Sequence, residues 1–291
     1  MAELQTRKIG TTGMTPKALG LGCAWFGSSK SSDADAIEGI HHAIELGMNY
    51  VDTSPGYGDS ERRVGLALSG GWRDRIYLQT KTGTHPERAQ DYSAVGTRWS
   101  VENSLRLLKT DYLDSVLIHD PSDITVPLSA GHALDELLKM KEEGRIGHIG
   151  IGCRPHEFHR QAIETGHIEI VLTFLDYTLL DQSAAQSTMP LAEERGVGII
   201  LASILGMGRL SGTEPDPSSD PPAHAMWEWC IDHNTRIRDL AAQYCLAAKI
   251  EGIVMTGPCN RREVDEIYQA ATREVSEEIW EAFDSRFHVR P

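Results

Sequence analysis

Four side chains of this sequence could together move a proton: an acid at Asp52, a phenol at Tyr57, an amine at Lys81 and an imidazole at His119. Asp52 and Tyr57 share one segment, Asp52-Thr-Ser-Pro-Gly-Tyr-Gly-Asp-Ser-Glu61, in which glycines flank the phenol. A free tyrosine has a pKa of about 10 and is a poor acid–base catalyst near neutrality. Lowering it to about 7 takes roughly 4 kcal/mol of preference for phenolate. One cation about 4 Å away supplies an energy of that order at an effective dielectric of about 20. Lys81 is therefore expected to lower the phenol's pKa, Asp52 to keep Lys81 charged and in place, and His119 to orient a substrate oxygen. Tyrosine proton transfer paired with hydride transfer at the same carbon interconverts alcohol and carbonyl, and the hydride calls for a nicotinamide. Taken singly, each residue has an ordinary role: Asp52 as a turn cap, Lys81 as a solvated strand end, His119 as a turn residue before Asp120-Pro121, Tyr57 as an exposed loop aromatic. Their conjunction carries the argument, because a buried amine needs a carboxylate partner.

The elements that must bring these groups together are legible as an alternation. Short apolar, β-branched runs at 18–21, 48–52, 76–81, 115–119, 148–151, 168–174, 198–203 and 252–255 predict strands. Between and after them, 33–46, 61–67, 94–108, 130–143, 155–165, 184–194, 235–248 and 261–271 predict helices. A strand–helix unit repeated eight times predicts parallel strands closed into an α/β (β/α)8 TIM barrel, a single domain over 1–291. Asp52, Lys81 and His119 end the second, third and fourth runs, at the barrel edge where active sites of this fold lie. Residues 4–17 read as an N-terminal β-hairpin and 277–287 as an extra C-terminal helix. The stretch 210–224 holds Pro215, Pro217, Pro221 and Pro222 among Gly, Ser and Asp, so no regular element is expected there. It reads as a lid over a ligand or as a surface excursion.

Composition narrows the partners. The 291 residues carry 28 basic and 42 acidic side chains, a formal charge of −14, and no local basic patch. A surface of that sign repels phosphate backbones and anionic lipids, so a small-molecule substrate is expected rather than nucleic acid or membrane. No apolar run suits a bilayer span, and the opening MAELQTRKIG is not expected to be a secretory signal. Five scattered cysteines without CxxC spacing predict a reducing, cytoplasmic setting. Cys23 and Cys153, at strand ends, read as buried small residues. His156 and His159, three apart, read as a solvated helix face rather than a metal pair, and no metal is expected. Trp25, just past the first strand, is a platform for a sugar face or ordinary packing; Trp227 and Trp229 belong to a lid or to the core. The glycines of 20–27 are wrongly spaced for GxGxxG, so a dinucleotide would bind across late barrel loops.

The segment 52–61, Lys81 closing a strand, Ser104-Leu-x-x-Leu-x-Thr-Asp111-Tyr112-Leu-Asp114 leading to His119, and Gly144-Arg-Ile-Gly-His-Ile-Gly150 together resemble the aldo-keto reductase family, over essentially the whole chain. The resemblance implies a TIM barrel, a nicotinamide dinucleotide held without a Rossmann domain, and a catalytic tetrad of Asp52, Tyr57, Lys81 and His119. Tyr177-Thr-Leu-Leu-Asp-Gln182 and Ala202-Ser203-Ile-Leu-Gly-Met-Gly208 are similar to the branch that holds D-threo-aldose 1-dehydrogenase, L-galactose dehydrogenase and pyridoxal 4-dehydrogenase. That branch implies oxidation of a cyclic hemiacetal, an aldose C1, to a lactone, with Tyr57 as general base and Trp25, Tyr57 and His119 meeting the substrate. The same tetrad would serve an NADPH-dependent aldehyde or ketone reductase, or a weakly catalytic cofactor-sensing subunit. Cofactor contacts depart from the family pattern: Cys153-Arg154 stands where a Ser-Asn pair holds the carboxamide, Phe174 where a Gln is expected, and Ala202 where an aromatic stacks on the nicotinamide. Ser203 and Leu205 keep their places in a phosphate-binding loop. Gly257, Arg261, Arg262 and Glu263 fall in the adenosine-phosphate region. A carboxylate at Glu263 would repel a 2′-phosphate and favours NAD over NADP; Arg261 or Arg262 turned inward would reverse that.

Overall fold

The computed structural model describes residues 3–289. Eight strands, β1 (Leu19–Gly22), β2 (Tyr50–Asp52), β3 (Tyr77–Thr82), β4 (Leu113–His119), β5 (Ile146–Gly152), β6 (Ile170–Phe174), β7 (Gly198–Ala202) and β8 (Gly252–Thr256), pair in chain order, and β8 closes on β1. Every pairing is parallel, as in β3–β4, where Lys81 lies beside Leu117. The helices are α1 (Asp33–Glu45), α2 (Ser60–Ala67), α3 (Ala94–Leu108), α4 (Thr125–Leu128), α5 (Ala133–Glu142), α6 (His156–Glu164), α7 (Thr188–Arg195), α8 (Pro221–Asp232), α9 (Ile237–Leu246), α10 (Arg261–Thr272) and α11 (Glu277–Phe287).

The expected (β/α)8 barrel is what the chain forms. Alternate strand residues face opposite sides. Tyr50, Leu117, Ile170, Leu172, Ile200 and Ile253 therefore fill the barrel interior, while Val51, Val116, Val171 and Val254 pack outward beneath the helices. That parity directs Asp52, two residues after Tyr50, and His119, two after Leu117, into the same interior. The N-terminal residues form a hairpin-like turn with one antiparallel bridge, Thr6 with Lys17, rather than two regular strands. Ile9 N–H donates to Met14 O at 3.1 Å, and Gly10 N–H to Glu251 O at 3.2 Å. The turn thus lies across the N-terminal end of the barrel, with Ile9 and Met14 joining its interior cluster. Catalytic access is left to the opposite end.

Three elements differ from the expected pattern. Residues 210–224 were read as free of regular structure, yet α8 begins at Pro221. Pro221 and Pro222 sit in its first positions, where a missing N–H has no helical partner to lose, and Asp220 caps it by accepting from Ala223 N–H. The segment 184–194 splits into a 3-10 turn, Ser183–Gln186, and α7. The short α4 between β4 and α5 was not foreseen. The remaining stretch before α8 is tied down: Arg209 pairs with Asp220, Arg238 Nε donates to Ser211 O at 2.6 Å, and Trp227 Nε1 donates to Gly212 O at 3.2 Å. Trp229 stacks on His233 and meets Phe283 of α11 at 5.1 Å, which makes it a packing residue.

Candidate active site

Asp52 and Lys81 form a buried ion pair inside the C-terminal mouth of the barrel. Lys81 Nζ donates to both Asp52 carboxylate oxygens at 2.6 Å and to Thr53 O at 2.8 Å, and the lysine is 0% exposed. Burial opposes the lysine's charge, but the Asp52 carboxylate and the Tyr57 phenol overcome it and raise its pKa, so Lys81 is a cation. Gln79, one interior step before Lys81, donates from Nε2 to Asp52 Oδ1 at 2.7 Å, and its Oε1 accepts from Tyr50 at 2.8 Å and from Ser115 at 3.0 Å. Sequence reasoning missed this network. The signal was a polar residue two before a strand-ending lysine, on the same strand face.

Tyr57 is placed by a close approach of two loops. A Cβ on Gly27 would fall 1.7 Å from the Tyr57 carbonyl oxygen, so only glycine admits the β2 loop this near the turn after β1. Asp59 N–H donates to Gly27 O at 3.2 Å, and Ser60 Oγ donates to Cys23 O at 2.8 Å. The half-buried phenol then lies over Lys81, whose Nζ is 4.7 Å from the ring centroid. The expected direction of its pKa is reversed. Burial raises it, and Asp52 and Asp120 add to that, against the downward pull of Lys81. The pull of one cation is outweighed by the cost of desolvating the phenolate and by the carboxylate that already engages that cation.

His119 completes the group, its ring edge-on to Tyr57 with centroids 5.8 Å apart. Burial, assisted by Lys81, holds its pKa well below the ordinary value, so the imidazole is neutral. Nδ1 lies 2.8 Å from Thr84 Oγ1 and 3.3 Å from Ser54 Oγ, while Nε2 lies 3.3 Å from Asp120 Oδ2. A neutral imidazole carries one ring proton; with Nδ1 accepting from the Thr84 hydroxyl, that proton lies on Nε2. Tyr92 donates from its hydroxyl to His119 O at 2.6 Å. The four expected residues thus meet in one mouth, with Ser54, Thr84, Tyr92 and Asp120 bracing them.

The other sequence candidates surround this mouth unevenly. Trp25 stands 44% exposed after β1, its Cδ1 3.2 Å from where a Cβ on Gly257 would lie. Cys153 follows β5 but is buried, its thiol pushed up to about 12 by burial, and its carbonyl lies 2.9 Å from His159 Nε2. Arg154 reaches outward to Asp181 at 3.5 Å. Ser203 and Leu205 sit in the loop after β7, where Ser203, Gly206, Met207 and Gly208 all take positive φ. Backbones of this mixed handedness present N–H groups to anions. Arg261 is held by Glu38 at 3.0 Å and Arg262 by Glu266 at 3.1 Å, both at the N-terminus of α10. Glu263, expected to face a 2′-phosphate, instead accepts from Cys259 N–H at 2.9 Å while its own N–H donates to Asn260 Oδ1. It is a helix-capping residue. The expected solvated histidine face is also corrected: His159 is 0% exposed and meets Thr188 Oγ1 at 2.8 Å, and His156 joins Asp176 and Ser187. Among the described residues there is no metal-binding group of three or more acids, histidines or cysteines, and no helix long and apolar enough to cross a membrane.

Known proteins share this sequence pattern and fold. Arabidopsis thaliana L-galactose dehydrogenase is 30% identical over 287 residues, spanning 94% of this chain and 89% of that protein. D-threo-aldose 1-dehydrogenase of a Pseudomonas species is 26% identical over 306 residues, spanning 92% and 93%. Among solved structures, the aldo-keto reductase AKR11C1 from Bacillus halodurans (holo form) superposes with a TM-score of 0.82 at 25% identity, covering 97% of this chain and 96% of that one. The family model for aldo/keto reductases matches residues 18–286, nearly the whole described chain. With an eight-stranded barrel whose mouth gathers an acid, a phenol, a buried ammonium and a neutral imidazole, the chain belongs to the aldo/keto reductase family of oxidoreductases.

Proposed function

We propose that this protein is an NAD(P)-dependent aldose 1-dehydrogenase that oxidises a cyclic hemiacetal to a lactone. The observation that carries the reading is the buried Asp52–Lys81 pair beneath the face of Tyr57, with neutral His119 at the edge of the same ring. The two sugar dehydrogenases named among its relatives support the substrate class.

The residues near the mouth suit a nicotinamide dinucleotide. The positive-φ loop 203–208 offers backbone donors to a pyrophosphate, and the N-terminus of α10 with Arg261 and Arg262 offers charge to an adenosine phosphate. Ser203, Leu205, Gly257, Arg261 and Arg262 would hold that half. Cys153 and Arg154, in the loop after β5, would meet the nicotinamide end, and Glu263 would act by fixing the first turn of α10. When bound, the nicotinamide accepts the hydride that leaves the substrate carbon.

The chain's own part is proton handling and positioning. His119 donates its Nε2 proton in a hydrogen bond to the reacting oxygen and stays neutral while doing so. Tyr57 takes the hydroxyl proton as the carbon–hydrogen bond breaks, and Lys81 stabilises the phenolate form that accepts it. Asp52 and Thr53 O keep the ammonium fixed, and Gln79 keeps Asp52 fixed. Trp25, exposed at the rim, offers an aromatic face to the sugar ring.

One observation favours a second reading. Burial raises the Tyr57 pKa, so the resting phenol is protonated and ready to donate, as reduction of an aldehyde or ketone by NADPH requires. Initial rates, followed by absorbance of the reduced nicotinamide, decide between the two. Lactone formation from a panel of aldoses with NAD or NADP is compared with reduction of simple aldehydes by NADPH. Faster aldehyde reduction with no aldose oxidised would overturn the dehydrogenase reading. Tight cofactor binding without turnover of either would leave a binding role only.

A further inference from the structure

Asp120 follows the catalytic histidine directly and has no part in the proton path above. Its Oδ2 is 3.3 Å from His119 Nε2, the atom assigned to the reacting oxygen. Its backbone is left-handed, φ +42°, immediately before Pro121, a conformation that costs free energy outside glycine and is tolerated best by Asp and Asn. Three contacts hold it there: Asp120 N–H donates to Gly152 O at 2.9 Å, Gln90 Nε2 donates to Asp120 O at 3.0 Å, and Tyr92 fixes the preceding carbonyl. Gln90 is itself left-handed, φ +60°. The side chain is 48% exposed in a mouth whose other acid, Asp52, is buried and paired. Among the described residues, the neutral imidazole is the one partner of this carboxylate at ion-pair distance.

A substrate oxygen arriving at His119 Nε2 therefore comes to rest beside the Asp120 carboxylate. The carboxylate, which can only accept, can then take a hydrogen bond from a substrate hydroxyl. Oxygens on adjacent carbons lie within one hydrogen-bond length of each other, so a hydroxyl beside the reacting carbon falls within reach of Asp120 Oδ2. We propose that Asp120 is a specificity-determining residue that selects substrates carrying a free hydroxyl on the carbon next to the one oxidised. The proposal rests on the dehydrogenase reading for its substrate and narrows it to 2-hydroxy aldoses. A site built to accept from a hydroxyl discriminates against the analogue without it, because that analogue forfeits a charge-assisted hydrogen bond.

The test compares kcat/KM for an aldose and its 2-deoxy counterpart in the wild-type enzyme, Asp120→Gly and Asp120→Asn. Glycine tolerates the left-handed φ while removing the carboxylate; asparagine tolerates it and keeps a neutral acceptor. The wild type should prefer the 2-hydroxy sugar by about 10- to 100-fold, the range of one charge-assisted hydrogen bond. That ratio should fall toward one in Asp120→Gly and to an intermediate value in Asp120→Asn. A wild type without preference, or a glycine variant that loses both activities by the same factor and keeps the ratio, overturns the proposal. If no aldose is oxidised, the dehydrogenase reading fails separately. The same comparison, run as reduction of glycolaldehyde against acetaldehyde, then applies the identical criterion to Asp120.

Discussion

Replacing Asp52 by asparagine should strand a fully buried ammonium. Lys81 Nζ lies 2.6 Å from both Asp52 oxygens, and the lysine is 0% exposed. At an effective dielectric of about 20, a pair at that distance attracts by about 6 kcal/mol, most of which offsets the removal of both charges from water. Deleting one partner leaves the other's desolvation uncompensated and typically costs about 3–5 kcal/mol. Asp52→Asn keeps the shape and the acceptor for Gln79, so the loss reports the charge. Against an ordinary folding stability of about 5–15 kcal/mol the variant should fold but with a clearly lowered urea midpoint. Lys81→Met should lose stability for the converse reason, leaving a buried carboxylate. The double variant Asp52→Asn/Lys81→Met removes both charges and should be more stable than the sum of the two losses allows, by about 2 kcal/mol or more. Urea unfolding of the four proteins at neutral pH measures this. A single Asp52→Asn loss below about 1 kcal/mol, or strict additivity, would refute the buried-pair account of the site.

Tyr57→Phe should lower kcat by about 10²- to 10⁴-fold while fluorescence titration still detects cofactor binding; unchanged turnover removes the tyrosine from the mechanism. Because burial raises the phenol's pKa, the phenolate is scarce at neutrality, so kcat/KM for oxidation should climb with pH through and beyond about pH 8, while reduction should not. A plateau for oxidation below about pH 7 would contradict that direction. His159, lowered to about 4 by burial against an ordinary 6.5, takes up its proton only on unfolding in this range. Its contribution is therefore complete above about pH 6.5 and drains as pH falls toward 4, by up to about 3 kcal/mol. His159→Gln should flatten the urea midpoint's dependence on acid, and an unchanged slope would place the sensitivity elsewhere. Glu38→Gln releases Arg261 from an exposed ion pair and should raise the NADP-to-NAD preference by about two- to fivefold, read from kcat/KM with each cofactor.

The barrel itself was legible because its parallel strands are buried on both faces, which writes each as a short apolar run at regular spacing along the chain. Asp52, Lys81 and His119 were legible as polar residues closing three such runs, since a strand's last inward position at this edge opens on the mouth. The start of α8 was not: Pro221 and Pro222 look like breakers, and only the cap at Asp220 shows that they open a helix. His159 was misread because its neighbours in sequence are polar, whereas its hydrogen-bond partners, Thr188 and the Cys153 carbonyl, come from other elements.

Residue type and spacing alone therefore determined which groups this protein can bring to a reaction. Their ionisation was decided only in three dimensions. Tyr57 holds its proton, Lys81 its charge and His119 its neutrality because of how deeply each is buried and which charges face it. The same holds for Asp120, ordinary in sequence, whose left-handed backbone and distance from His119 exist only once Gly152, Gln90 and Tyr92 close around it. Desolvation and Coulomb energy depend on neighbours across space, and neighbours across space are what a linear sequence leaves unwritten.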